Sequence, residues 1–236
     1  MYPKDHHHRR SHSIPRVLSS TWLLACAVAG AAHSQTSFDL TLASHYAARG
    51  AALSNGPVLQ LRGEHDAQSE RYAGWYAGAF ASPVLAEGRT QGELVAYAGR
   101  AQRISSTLSW DAGASRTTFL RDGGANYHEF YAGLAMRRGS VRVFYSPAYY
   151  GEGRNAYLDL NGAYPLGDRL HLSAHAGLLH PFGDYPGASG GGDVRIALGT
   201  QVGDVSLEAG WQVKAHAYMA GGKPAPALSA SASLRF

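Results

Sequence analysis

Cysteine is almost absent from this chain: of 236 residues, only Cys26 carries a thiol. It falls inside an N-terminal segment that reads as a leader, so a mature chain without that leader has neither disulfides nor thiol chemistry. Charge is sparse too, with Asp, Glu, Lys and Arg making up 16% of the residues. The formal net charge of +4 is concentrated at one end. Lys4, Arg9, Arg10 and Arg16 stand against Asp5 in residues 1–34, a net of +3; this leaves 21 − 4 = 17 basic and 17 − 1 = 16 acidic residues beyond. A nearly neutral body excludes a basic nucleic-acid surface. No Walker or dinucleotide motif occurs, so no cofactor is expected. Outside the leader no apolar run approaches the ~18 residues of a spanning helix.

The leader itself spans residues 1–34. A basic, His-rich start precedes an apolar stretch from Trp22 to Ala32 and a small-x-small end at Ala32-His33-Ser34. This is the pattern of a secretory signal, with cleavage expected after Ser34 and Gln35 as the new terminus. Leu23-Leu24-Ala25-Cys26 also matches a lipoprotein box with Cys26 acylated, although the apolar residues continue past the cysteine. His6-His7-His8 belongs to the discarded leader on either reading and is not expected to hold a metal.

What the body does contain is glycine (29 residues), tyrosine (14 residues) and a recurring period of two. Leu59 and Leu61 alternate with Gln60, Arg62 and Glu64; Leu170, Leu172, Ala174 and Ala176 with His171, Ser173 and His175; Val205, Leu207, Ala209 and Trp211 with Ser206, Glu208 and Gln212. Successive strand side chains point to opposite faces, so each segment has an apolar and a polar side. About twelve such segments follow Ser37, many of roughly ten residues, the length of a tilted strand crossing a bilayer. Residues 71–82 and 93–100 are less clean, because Ala, Gly and Tyr occupy both parities.

Connections after even-numbered segments are short: residues 66–70, the turn near Arg103, 137–139, 165–168 and 203–204. Those after odd-numbered ones are read as longer: 50–56, 117–125, 147–155, 181–192 and 219–226. Short turns at one end and long loops at the other characterise outer-membrane barrels. Tyr46, Tyr72, Trp75, Tyr145, Tyr149, Tyr150, Tyr164, Trp211 and Tyr218 sit near segment ends, where an aromatic girdle is expected at the membrane–water boundary. The closing segment, Leu228 to Phe236, is amphipathic and ends on an aromatic residue. A soluble β-sandwich would leave this edge strand open to aggregation, whereas a closed barrel removes the edge. The expected fold is therefore an all-β, antiparallel up-and-down transmembrane barrel over residues 35–236.

Several stretches also resemble a known family. Thr41 to Gly50 followed by Pro57-Val-Leu-Gln60, then Gly74 to Ser82, Gly92 to Gly99, Asn126 to Gly133 and Tyr157 to Leu166, occur in the order seen in the TorF family of outer-membrane porins. The resemblance implies an outer-membrane channel of a Gram-negative bacterium, with lipids and small solutes or ions as its partners. It also implies that the C-terminal Phe236 is similar to the signal read by the barrel-assembly machinery. Two positions depart from the family pattern. His45 replaces an acidic or amide residue, and Val95 stands where a second carboxylate often follows Glu93; both thin the negative charge of the interior.

With the apolar parity facing lipid, the expected pore-lining residues are His45, Arg49, Gln60, Arg62, Glu64, Glu93, Asp111, Glu129, Arg142, Asp159, His171, His175, Arg195, Glu208, Lys214 and Arg235. Charges of both signs in a confined interior pair, since an isolated one is costly. Barrels of eight strands are filled by side chains and those of 16–18 are open, so twelve predicts a narrow pore. Rings of one sign, which create strong ion selectivity, are not evident. Two other functions were weighed: a structural or adhesive barrel, and a lipid hydrolase using Ser173 with His171 or His175. The i, i+2 spacing of about 6.5–7 Å is too long for a good Ser–His bond, and no Gly-x-Ser-x-Gly elbow exists. The two histidines could bind a metal only with a third ligand that the sequence does not identify.

Overall fold

A computed structural model describes residues 35–67, 74–86, 89–183, 190–215 and 227–236. The leader 1–34, Tyr72 and Tyr218 lie outside the described residues, as does the side chain of Lys214. In chain order the strands are β1 (Gln35–Ala43), β2 (Ala47–Ala48), β3 (Ala51–Ala52), β4 (Val58–Asp66), β5 (Trp75–Ala86), β6 (Arg89–Arg103) and β7 (Leu108–Phe119). They continue as β8 (Tyr127–Met136), β9 (Gly139–Tyr149), β10 (Gly153–Pro165), β11 (Leu170–Phe182), β12 (Gly191–Val202), β13 (Val205–Ala215) and β14 (Leu228–Arg235).

The twelve long strands form one closed antiparallel barrel in sequence order, with β1 hydrogen-bonded to both β4 and β14. Closure satisfies every strand edge within the chain, which is what allows a sheet to sit in lipid. The alternation read from the sequence decides which face each residue takes. Leu59 and Leu61 are 55% and 46% exposed on the outside, while Gln60 between them is 8% exposed inside. Phe130, Leu134, Val143, Leu160, Leu178, Ile196 and Leu198 also lie exposed on the outer wall. A continuous apolar exterior around a polar interior inverts the arrangement of a water-soluble fold.

Three expectations need correction. The short–long alternation is incomplete, since residues 67–74 connect β4 to β5 whereas only residues 87–88 connect β5 to β6. The segment 147–155 is not a long loop: β9 runs to Tyr149 and β10 starts at Gly153, leaving a turn of Tyr150, Gly151 and Glu152. Ladder pairing continues past Pro147, so its proline does not mark a strand end. The aromatic girdle is also smaller than expected. Trp75, Tyr145, Tyr164 and Trp211 are exposed on the outer wall, but Tyr46 and Tyr149 are buried and Tyr150 packs against the interior cluster. These three tyrosines turn inward because the first loop and the β9–β10 turn fold over the barrel mouth, where rings meet at 4.6–4.9 Å between Tyr127, Tyr149 and Tyr150.

Candidate functional site: the barrel interior

Inward tyrosines organise the wall. Tyr97 of β6 lies across Gly78 of β5 and donates to Glu64 of β4 at 2.7 Å. Tyr76 of β5 lies across Gly99 of β6 and reaches Asp111 of β7 at 3.2 Å and the hydroxyl of Tyr131 at 2.8 Å. Tyr131 of β8 lies across Gly113 of β7 and donates to the carbonyl of Ala98 on β6 at 3.3 Å. Tyr157 of β10 lies across Gly177 of β11 and donates to Asp193 of β12 at 3.1 Å. Each ring therefore bridges one intervening strand, and glycine is needed there because a Cβ would collide with the ring. His171 covers Gly199 in the same manner.

Between these bridges the charged side chains pair across the interior. Arg142 engages Asp111, and Arg195 engages Glu208, which also accepts a bond from Ser173 at 3.0 Å. Arg235 makes a two-pronged contact with Asp39, at 2.8 and 3.0 Å. His175 is held between Asp159 at 3.1 Å and Asp193 at 2.7 Å, linking β10, β11 and β12. Gln60 donates to Ser82 at 3.2 Å, and the Arg62 guanidinium lies 5.9 Å from the Phe80 ring centroid. Burial inside a closed wall makes each such pairing necessary, since a lone charge there would carry its full desolvation cost.

The first loop, residues 44–57, enters the barrel. Its β2–β3 hairpin turns at Arg49 and Gly50, with φ of 48° and 73°. The loop is fastened by the Tyr46 amide to Ser54 Oγ at 2.7 Å and the Leu85 amide to the Leu53 carbonyl at 2.6 Å. Arg49 Nη2 reaches both oxygens of Glu129 on β8, at 2.8 and 2.9 Å. His45, lower in the same loop, meets Gln212 of β13 at 2.8 Å. Beside Arg49 is a cavity of ≈30 Å³, bordered by Glu93, Glu129, Asp159 and Tyr127 among others. That is room for about one or two water molecules.

Of the sequence-derived lining residues, Gln60, Glu93, Asp111, Glu129, Arg142, Asp159, His175, Arg195 and Glu208 are buried within the barrel. His45, Arg49, Arg62, Glu64, His171 and Arg235 are partly accessible. Asp39, Asp193 and the bridging tyrosines also belong to the interior network, beyond the residues expected there from the sequence. A signal for the tyrosines exists in the repeated Tyr-Ala-Gly at Tyr76, Tyr97 and Tyr131, but its meaning depends on the strand opposite. Ser173 is committed to Glu208 rather than to either neighbouring histidine. Among the described residues no group of three or more His, Cys, Asp or Glu is placed to hold a metal ion.

The fold is shared with solved channels at low identity. The KdgM porin is 13% identical, with 85% of this chain and 98% of that one covered at a TM-score of 0.51. The NanC porin is 10% identical, with 84% and 97% covered at a TM-score of 0.54. No curated protein sequence matches the chain. Residues 27–218 match the family described as bacterial protein of unknown function (Gcw_chp), and the chain belongs to that family.

Proposed function

We propose that the protein is a narrow outer-membrane channel for passive diffusion of small hydrophilic solutes or ions in a Gram-negative bacterium. The observation that carries this reading is a closed twelve-stranded barrel whose exterior is apolar and whose interior holds paired charged side chains beside an aromatic-rich apolar cluster. The resemblance to TorF porins belongs to the same proposal, since the family shown by comparison has no assigned function. KdgM has been solved with an oligogalacturonate, an acidic chain. In the present barrel Arg49, Arg142, Arg195 and Arg235 are each neutralised by a carboxylate, which disfavours a polyanionic solute.

In this reading the inward side chains named above line the path, and Phe236 serves assembly. Carboxylates at Asp39, Glu64, Glu93, Asp111, Glu129, Asp159, Asp193 and Glu208 outnumber the arginines facing them, so a weak cation preference is expected. The alternative of a structural barrel is favoured by one feature, the first loop folded into the mouth, with a cavity of just ≈30 Å³ beside Arg49. Planar-bilayer recording separates the two. Discrete steps with a reversal potential slightly on the cation side support the channel; silent bilayers containing folded, heat-modifiable protein reject it. The lipid-hydrolase reading has little support in the geometry, because Ser173 is 2% exposed and bonded to a carboxylate.

A further inference from the structure

Arg49 stands at the tip of the first-loop hairpin, in a left-handed backbone conformation uncommon for a residue with a side chain. Its guanidinium carbon lies 4.6 Å from the ring centroid of Tyr157, 5.0 Å from that of Tyr149 and 5.5 Å from that of Phe144. One edge of the group is closed by both oxygens of Glu129. A carboxylate on the edge and aromatic rings around a planar cation make up the chemistry by which proteins bind guanidinium compounds. The walls of this cage come from β8, β9 and β10, whereas its occupant comes from a loop.

A second carboxyl group stands beside the cage. Glu93 of β6 is 3% exposed, borders the cavity beside Arg49 and meets the Tyr46 hydroxyl. Asp159 borders the same cavity but is already engaged by His175. With Arg49 withdrawn, the Glu129 carboxylate would lose its ion-pair partner in a pocket ringed by tyrosines. Such a pocket draws in a cation of the shape that had filled it.

We propose that the Glu129–Phe144–Tyr149–Tyr157 cage is a binding site for small guanidinium-bearing solutes, and that Arg49 is its tethered occupant when the first loop plugs the barrel. A free guanidinium compound would compete for the cage, and the loop would no longer be latched. An alkylammonium ion is a poor substitute, because it has no planar face to lie against the Tyr149 and Tyr157 rings while one nitrogen meets both Glu129 oxygens. The site is read from geometry alone; its part in solute passage rests on the channel reading above.

The test uses the full mature barrel in detergent micelles. Ethylguanidinium and propylammonium are titrated at constant ionic strength into the wild type, Arg49→Ala and Arg49→Ala/Glu129→Gln, with calorimetry and thermal unfolding as readouts. Ethylguanidinium should bind Arg49→Ala saturably and at least ~10-fold more tightly than propylammonium, raising its melting temperature. The wild type should bind ethylguanidinium too, but more weakly than Arg49→Ala because Arg49 competes for the cage, and the double variant should show no saturable response. Equal responses to the two cations, or no binding to a folded Arg49→Ala barrel, would overturn the proposal. If Arg49→Ala fails to fold alone, its refolding yield with each cation replaces the titration. Rescue by ethylguanidinium only supports the site, and rescue by neither or by both rejects it. Since binding is read without conduction, a silent barrel that binds ethylguanidinium rejects only the channel. A conducting barrel that does not bind it rejects only the cage.

Discussion

Phe38 and Phe236 join the two ends of the chain: the Phe38 amide donates to the Phe236 carbonyl at 2.9 Å, and the Phe236 amide returns the bond at 3.0 Å. Their rings stack with centroids 5.9 Å apart and an interplanar angle of 22°. The last residue of the sequence is thus the final rung of the β1–β14 ladder, and its ring lies 66% exposed on the barrel exterior.

Deleting Phe236 removes that rung and the ring on the outer wall together. The expected outcome is a strong fall in the heat-modifiable barrel recovered from the outer membrane, with synthesis and export unchanged. Gel mobility of heated and unheated membrane fractions checks it. A deletion variant assembling at the wild-type level would remove Phe236 from any assembly role.

The tyrosine bridges should be sensitive to a single methyl group. A Cβ at Gly99 would lie 2.5 Å from the Tyr76 hydroxyl oxygen and 2.7 Å from the Ala112 carbonyl oxygen. Gly99→Ala should therefore cost about 1–3 kcal/mol through overpacking. Gly162→Ala, whose new Cβ has its nearest neighbour at 3.7 Å, should cost much less. Urea unfolding in lipid vesicles compares the two, and equal losses would show that the rings move aside freely.

The buried pair of Arg142 and Asp111 gives a third expectation. Arg142→Met strands a carboxylate that keeps only the Tyr76 hydroxyl, and should destabilise the barrel by about 3–5 kcal/mol. Adding Asp111→Asn removes the orphaned charge and should recover a large part of the loss. A double-mutant cycle measures the coupling; purely additive effects would mean that the two groups do not interact.

These residues show different degrees of legibility. Gln60 between Leu59 and Leu61 could be assigned to the interior from parity alone, because neighbouring side chains of a strand must diverge. Tyr76 and Tyr97 could not. Their strands carry Ala and Gly on both faces, so hydropathy gives no contrast, and the Tyr-Ala-Gly repeat acquires meaning only when register sets each tyrosine opposite a glycine. The inward face of Asp39 follows from parity, but its partner Arg235 stands 196 positions away in the chain and is supplied only by closure.

By itself, the sequence determined the barrel: period-two hydropathy sets two faces per strand, an even number of strands brings the ends together, and the apolar face requires lipid. Those are local rules, satisfied by neighbours along one strand. Tertiary structure alone decided what fills the interior. Whether Arg49 points to solvent or into Glu129, and whether Tyr149 joins a girdle or a cage, depends on side chains from strands far apart in sequence. Closure brings those strands within hydrogen-bonding distance, and no pattern along the chain encodes that distance. The final Phe236 belongs to both accounts, since its place on an amphipathic strand is local and its partner, Phe38, is supplied only by the closed ring.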